Sequence, residues 1–162
     1  LTAYHSPDDT RARAHMHAAS NLAGFAFDYT SLGINHGIAH AVGGVFHIPH
    51  GRCNAVLLPH VIAYNAKNSQ FAFDRYTALS RMLELGAASD YQTLKNFCNA
   101  IHALMLKMNM PTTLRACGVS EAEFREHLPS IVENALADRC TATNPVEMTA
   151  DGVREILERA FE

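Results

Sequence analysis

Residues Gly33 to His60 read GINHGIAHAVGGVFHIPHGRCNAVLLPH, and the rest of the chain is read outward from them. Five of the ten histidines fall in this stretch: His36, His40, His47, His50 and His60. Among Asp, Glu, Lys and Arg it holds only Arg52. So little charge predicts burial, and a buried polar group without a partner costs about 1–3 kcal/mol. These imidazoles therefore need hydrogen-bond partners or a metal. A helix is predicted from Ile34 to about Val42, stopped by Gly43-Gly44. Phe46 to Pro49 reads as a short extended link, because the residue before a proline avoids the helical region. The next helix starts near His50-Gly51 and runs to about Lys67. Pro59 should kink it, with small Ala55 four residues earlier leaving room for the ring.

Upstream, Ser6-Pro7-Asp8-Asp9 reads as a helix start, with Ser6 as the cap and two carboxylates at the positive end of the helix dipole. Met16, Ala19, Leu22, Ala23, Ala26 and Phe27 follow at helical spacing, and the small residues of AASNLAGFAF would let another helix approach closely. Downstream, a helical period runs from Phe71 to about Leu85 and ends at Gly86. Tyr91, Leu94, Phe97, Cys98, Ile101, Leu104, Met105 and Met108 form an apolar stripe that ends at Pro111. Ser120 and Glu123 form a capping box for a short helix through about His127, and Pro129 to Asp138 reads as another. Thr149 caps a last amphipathic helix carrying Val153, Ile156, Leu157 and Phe161. No stretch alternates with the two-residue period of a strand. The fold class is all-α, one domain of about seven or eight helices.

Length and composition agree. The 162 residues suffice for one domain with a core, and 48% hydrophobic against 18% charged is globular rather than disordered. A net charge of −3 without a basic cluster argues against a nucleic-acid partner. No apolar run approaches the ~18 residues of a membrane span. Cys53, Cys98, Cys117 and Cys140 form no CxxC pair and fit free thiols in a reducing cytosol. The chain opens on Leu1, which reads as a processed chain, a fragment or an excised domain.

His36 and His40, four apart, share one face of a helix, with about 6 Å between Cβ atoms. That spacing suits two ligands of one metal, or one ligand beside a proton carrier. His50 comes 14 residues after His36, beyond a turn, where it can return to His36. Neutral imidazoles suit divalent iron, zinc and their neighbours. A hydrogen-bonded core histidine is the ordinary alternative at each position. The stretch offers no carboxylate, so any Asp or Glu ligand must come from elsewhere in the fold or from another domain.

The pattern G-x-x-H-x-x-A-H-x-x-G-G-x-x-x-x-P-H-G-x-x-N-A-x-L-L-P-H-V, from Gly33 to Val61, resembles the iron-containing (group III) alcohol dehydrogenases. So do AHMHAASNLAGFAF, the segments Met110-Pro111-Thr112-Thr113-Leu114-Arg115 and Gly118-Val119, and Ala137 to Pro145. The resemblance covers essentially the whole chain, in order. It implies the all-helical C-terminal half of a two-domain enzyme of dehydroquinate synthase-like fold. The N-terminal nucleotide-binding domain is absent from residues 1–162, since Gly43-Gly44 is no dinucleotide fingerprint.

The resemblance further implies a metal, Fe2+ with Zn2+ as the alternative, held by one Asp and three His. His36 and His50 match two of those ligands. His40 matches a histidine near nicotinamide and substrate, a catalytic proton carrier. Phe27 matches a ring beside the nicotinamide of NAD(P), and Cys140 a residue of the substrate pocket. The implied reaction interconverts a small primary alcohol and its aldehyde, in the cytosol, with a bacterial microcompartment as the alternative. The implied partners are the substrate, the nucleotide-binding domain and, for an exposed face, a second copy of the chain. If a domain has been removed, the face carrying Phe27, His36, His40 and His50 should be exposed and apolar, rimmed by histidines. The competing reading is a non-enzymatic or degenerate helical module that binds a partner.

Overall fold

The computed structural model describes residues 1–162 and contains helices but no strand. Eight α-helices follow in order: α1 (Thr2–His5), α2 (Thr10–Thr30), α3 (Gly33–Phe46), α4 (His50–Asn68), α5 (Gln70–Met82), α6 (Asp90–Lys107), α7 (Glu121–Ala137) and α8 (Ala150–Phe161). A 3-10 turn at Thr141–Thr143 joins the last two. No helix is long and apolar enough to cross a membrane.

The core forms where α3 packs on α4 and α7, and α8 packs on α4 and α7. Ile34, Ile38 and Val42 recur every four residues, line one side of α3 and are fully buried. Val153, Ile156, Leu157 and Phe161 do the same for α8. Each such side chain stabilises by about 1.5–3 kcal/mol relative to exposure. Phe161 stacks on Phe124 at 4.3 Å between centroids, and the Arg115 guanidinium covers its ring. The α5–α6 hairpin lies against α4.

The chain departs from local expectation at several points. The cap of α2 is Asp9, whose carboxylate accepts from the Ala12 N–H, so the helix starts three residues beyond the Ser6-Pro7 signal. Gly43-Gly44 does not end α3, which continues to Phe46 and stops at His47 in the left-handed conformation. Gly43 instead serves close approach: a Cβ there would lie 3.3 Å from the Ile48 carbonyl. Helix α5 ends at Met82 rather than near Leu85, in a turn with Glu84 at positive φ. The two predicted helices before Asp138 are one: Pro129 lies inside α7 on its solvent-facing side, where the loss of one backbone bond does not end the helix. The capping box of Ser120 and Glu123 is present at its start. The apolar stripe of α6 is only partly covered: Met105 is buried, while Tyr91 and Leu104 are exposed.

Helix α2 is the clearest exception to the packing pattern. It buries no residue, and its main neighbour is α1. Leu22, Phe25 and Tyr29 are exposed along it. Gly24, among the small residues that would admit another helix, faces open space.

Helix α3 has no cap of its own, since Leu32 offers no acceptor side chain. Its first N–H groups are satisfied from 110 residues away, by Thr143 Oγ1 on Gly33 N at 3.3 Å and Asn144 Oδ1 on Ile34 N at 3.4 Å. Asn144 is held in turn by Asn65 of α4 through two reciprocal amide bonds of 2.9 and 3.1 Å. Asn144→Ala removes the Asn144 share of this cap and strands the buried Asn65 Oδ1, while Asn65 Nδ2 keeps the Tyr76 hydroxyl. It should lower unfolding free energy by about 1–3 kcal/mol in chemical denaturation. A midpoint equal to that of the parent would refute the clamp.

Candidate functional site

Helix α3 turns its apolar side to the core and its histidine side outward. His36 and His40 sit one turn apart, with ring centroids 5.9 Å from each other. His50 opens α4 and returns to them across the His47–Pro49 link. Its ring lies 5.2 Å from that of His36 and stacks on that of His40 at 5.3 Å. His40 and His50 are exposed and His36 is half-buried, so the low charge of the stretch does not mean that its histidines are enclosed. Burial, then the neighbouring His50 and His40, lower the His36 pKa below the ordinary histidine value. His36 therefore favours the neutral form, which has a free lone pair.

Support comes from the segment after α7. Asp138 Oδ2 lies 2.8 Å from His40 Nδ1, and its Oδ1 accepts the Cys140 N–H at 2.8 Å. Single ligand-capable atoms of His40, Asp138 and Cys140 lie within 4.8 Å of one another. Burial opposes ionisation of Asp138, but the bonds from His40 and the Cys140 N–H outweigh it and hold the pKa below the ordinary carboxylate value. Burial, reinforced by Asp138, raises the pKa of the Cys140 thiol, which stays protonated. Asp138 is the residue that the sequence reading left without a role. The signal available was its position at the start of the Asp138-Arg139-Cys140 segment; a sequence separation of 98 from His40 hid the contact.

Other side chains orient His50. Asn35 Nδ2 donates to Asn54 Oδ1 at 2.8 Å, which turns the Asn54 amide nitrogen toward His50 Nε2 at 3.1 Å. The Asn35 Oδ1 is buried without a partner. Phe27 stands apart from this group. It lies on α2, 46% exposed, and makes no ring contact with the histidines. His60 is half-buried, with its pKa lowered first by burial and then by Arg159 and His102. His47 serves the backbone turn after α3.

As a cation site, the donor set fits one half. His36 and His50 supply two imidazoles on a single open face, with one His50 nitrogen held by Asn54 and the other uncommitted. Three or four protein ligands are usual, and the nearby carboxylate, Asp138, is already committed on both oxygens.

Comparison with known proteins shows the family to which the chain belongs. Residues 1–161 match the model of the Fe-containing alcohol dehydrogenase family, C-terminal. The chain is 40% identical over 153 residues to the NADPH-dependent butanol dehydrogenase of Clostridium saccharobutylicum, covering 94% of this chain and 39% of that protein. It is 39% identical over 153 residues to the 1-propanol dehydrogenase PduQ of Citrobacter freundii, covering 93% and 41%. The iron-containing alcohol dehydrogenase structure from Thermococcus thioreducens superposes with a TM-score of 0.82 at 32% identity, over 94% of this chain and 38% of that one. The chain thus spans less than half the length of these relatives. It belongs to the iron-containing alcohol dehydrogenase family, and its residues are those of the C-terminal, helical part.

Close approach of α3 to the Asp138 segment depends on Gly37. A Cβ there would fall 2.3 Å from Thr141 Oγ1 and 3.1 Å from the Ala135 carbonyl, which Thr141 itself hydrogen-bonds at 2.6 Å. Gly37→Ala should cost about 1–3 kcal/mol by overpacking, read as a lowered melting temperature. An alanine variant as stable as the parent would show that the two segments do not approach this closely.

Proposed function

We propose, from the chain's place among the iron-containing alcohol dehydrogenases, that it forms the helical side of an active site interconverting a small primary alcohol and its aldehyde with NAD(P). The observation that carries this is the convergence of His36, His40 and His50 on one open face, with ring centroids 5.2–5.9 Å apart. The butanol and 1-propanol dehydrogenases among its relatives support the substrate class.

His36 and His50 would hold Fe2+, with Zn2+ as the alternative, together with two ligands from outside these 162 residues. When bound, the metal supplies Lewis-acid polarisation of the alcohol oxygen and the nicotinamide accepts the hydride. The protein's own part is positioning and proton movement. His36 offers a neutral lone pair because burial disfavours its cation. Asn54 keeps the His50 ring from rotating. His40 takes the hydroxyl proton and passes it to solvent, to which its side chain is 43% exposed. Cys140, buried and protonated, would form a small wall of the substrate pocket rather than act as a nucleophile. Phe27 and the open apolar residues of α2 would meet the nicotinamide and a nucleotide-binding domain.

In the full-length protein, His36→Ala and His50→Ala should each lose bound iron and turnover, measured by elemental analysis and steady-state kinetics. Stoichiometric metal in either variant would refute that ligand. His40→Ala should retain its iron while kcat falls about 10²–10⁴-fold. An undiminished kcat would leave His40 outside the chemistry.

A further inference from the structure

Asp138 is a carboxylate in an unfavourable place. It closes the C-terminal end of α7, where the helix dipole presents its negative pole, and its side chain is only 19% exposed. Its surroundings hold it firmly nevertheless. The Asp138 carbonyl accepts the Thr141 N–H at 3.0 Å, and the Thr141 hydroxyl ties the same turn back to Ala135. Both carboxylate oxygens are committed, Oδ1 to the Cys140 N–H and Oδ2 to His40 Nδ1.

An ionised carboxylate can only accept, so the proton between Asp138 and His40 sits on His40 Nδ1, which donates to Oδ2. In a neutral imidazole that leaves Nε2 as the bare acceptor. Stacking of the ring on His50, at an interplanar angle of 18°, opposes rotation that would exchange the two nitrogens.

We propose that Asp138 is a positioning residue for His40, locking the imidazole in the Nδ1–H tautomer so that Nε2 receives the substrate's hydroxyl proton. This rests on the reading of His40 as proton acceptor given above. The substrate O–H bond breaks, its electron pair staying on the substrate oxygen, and an N–H bond forms at Nε2. The imidazolium charge is met by Asp138, which takes up no proton itself. Nε2 then returns its proton to water.

The test sets two Asp138 variants of the full-length protein beside a His40→Gln control. In Asp138→Asn the Cys140 N–H still requires the side-chain oxygen, so the amide presents its NH2 to Nδ1 and drives the ring proton to Nε2. In Asp138→Ala, Nδ1 loses its acceptor. Nitrogen-15 NMR of the histidine rings in metal-free protein, with His40 assigned through His40→Gln, should give Nδ1–H in the parent and a shift toward Nε2–H in both variants. Iron content should stay at the parental level, with kcat at least about 10²-fold lower and KM little changed. A parent ring protonated at Nε2, or a tautomer unmoved in both variants, overturns the proposal. So does parental kcat in Asp138→Asn when His40→Gln is slow. If His40→Gln itself turns over at the parental rate, the proton-acceptor reading fails, and the tautomer result stands or falls separately.

Discussion

The paired amides of Asn65 and Asn144 hold together parts of the chain that no local signal joins. Asn65 is buried in α4, and Asn144 lies in the loop that follows the 3-10 turn. Each satisfies the other, and what remains of Asn144 caps α3. A buried amide without such a partner carries its full desolvation cost. The pair is therefore satisfied only when α3, α4 and the loop after α7 are mutually placed. The same placement brings Asp138 to His40.

Helix α3 then has two jobs, divided by its periodicity. The row Ile34, Ile38, Val42 goes to the core, and the row His36, His40 is left for the open face. Small residues make the division workable. Gly37 lets the Asp138–Thr141 segment press against the helix, and Gly43 admits the Ile48 carbonyl as the chain turns back toward His50. Larger residues at these points would move the supports away from the imidazoles without touching an imidazole directly.

Much of this was legible in the sequence where the signal is local. The apolar period of α8, the Ser120–Glu123 capping box and the one-turn spacing of His36 and His40 all survive in the structure. Glycine and proline misled because their local preferences were overridden. Gly43-Gly44 reads as a stop by propensity, but packing favours helix there, and Pro129 is tolerated on the exposed side of α7. The low charge of Gly33–His60 was read as burial, yet it belongs partly to an open surface on which His40 and His50 are exposed. Asp138 carried no periodicity or capping signature, and its role comes entirely from a long-range hydrogen bond.

The remote capping of α3 also has a temporal side. A helix capped by its own preceding residue can settle as soon as it emerges during synthesis. Helix α3 cannot, because Thr143 and Asn144 follow Gly33 and Ile34 by 110 residues. At about 5–20 residues per second, the ribosome takes several seconds or more to supply them. Over that interval the histidine-bearing helix has an incomplete N-terminus, and its imidazoles exist without the carboxylate that steadies His40. The chemical face of this chain is thus among the last features that a nascent polypeptide can finish, even though its residues are among the first third to be translated in this stretch.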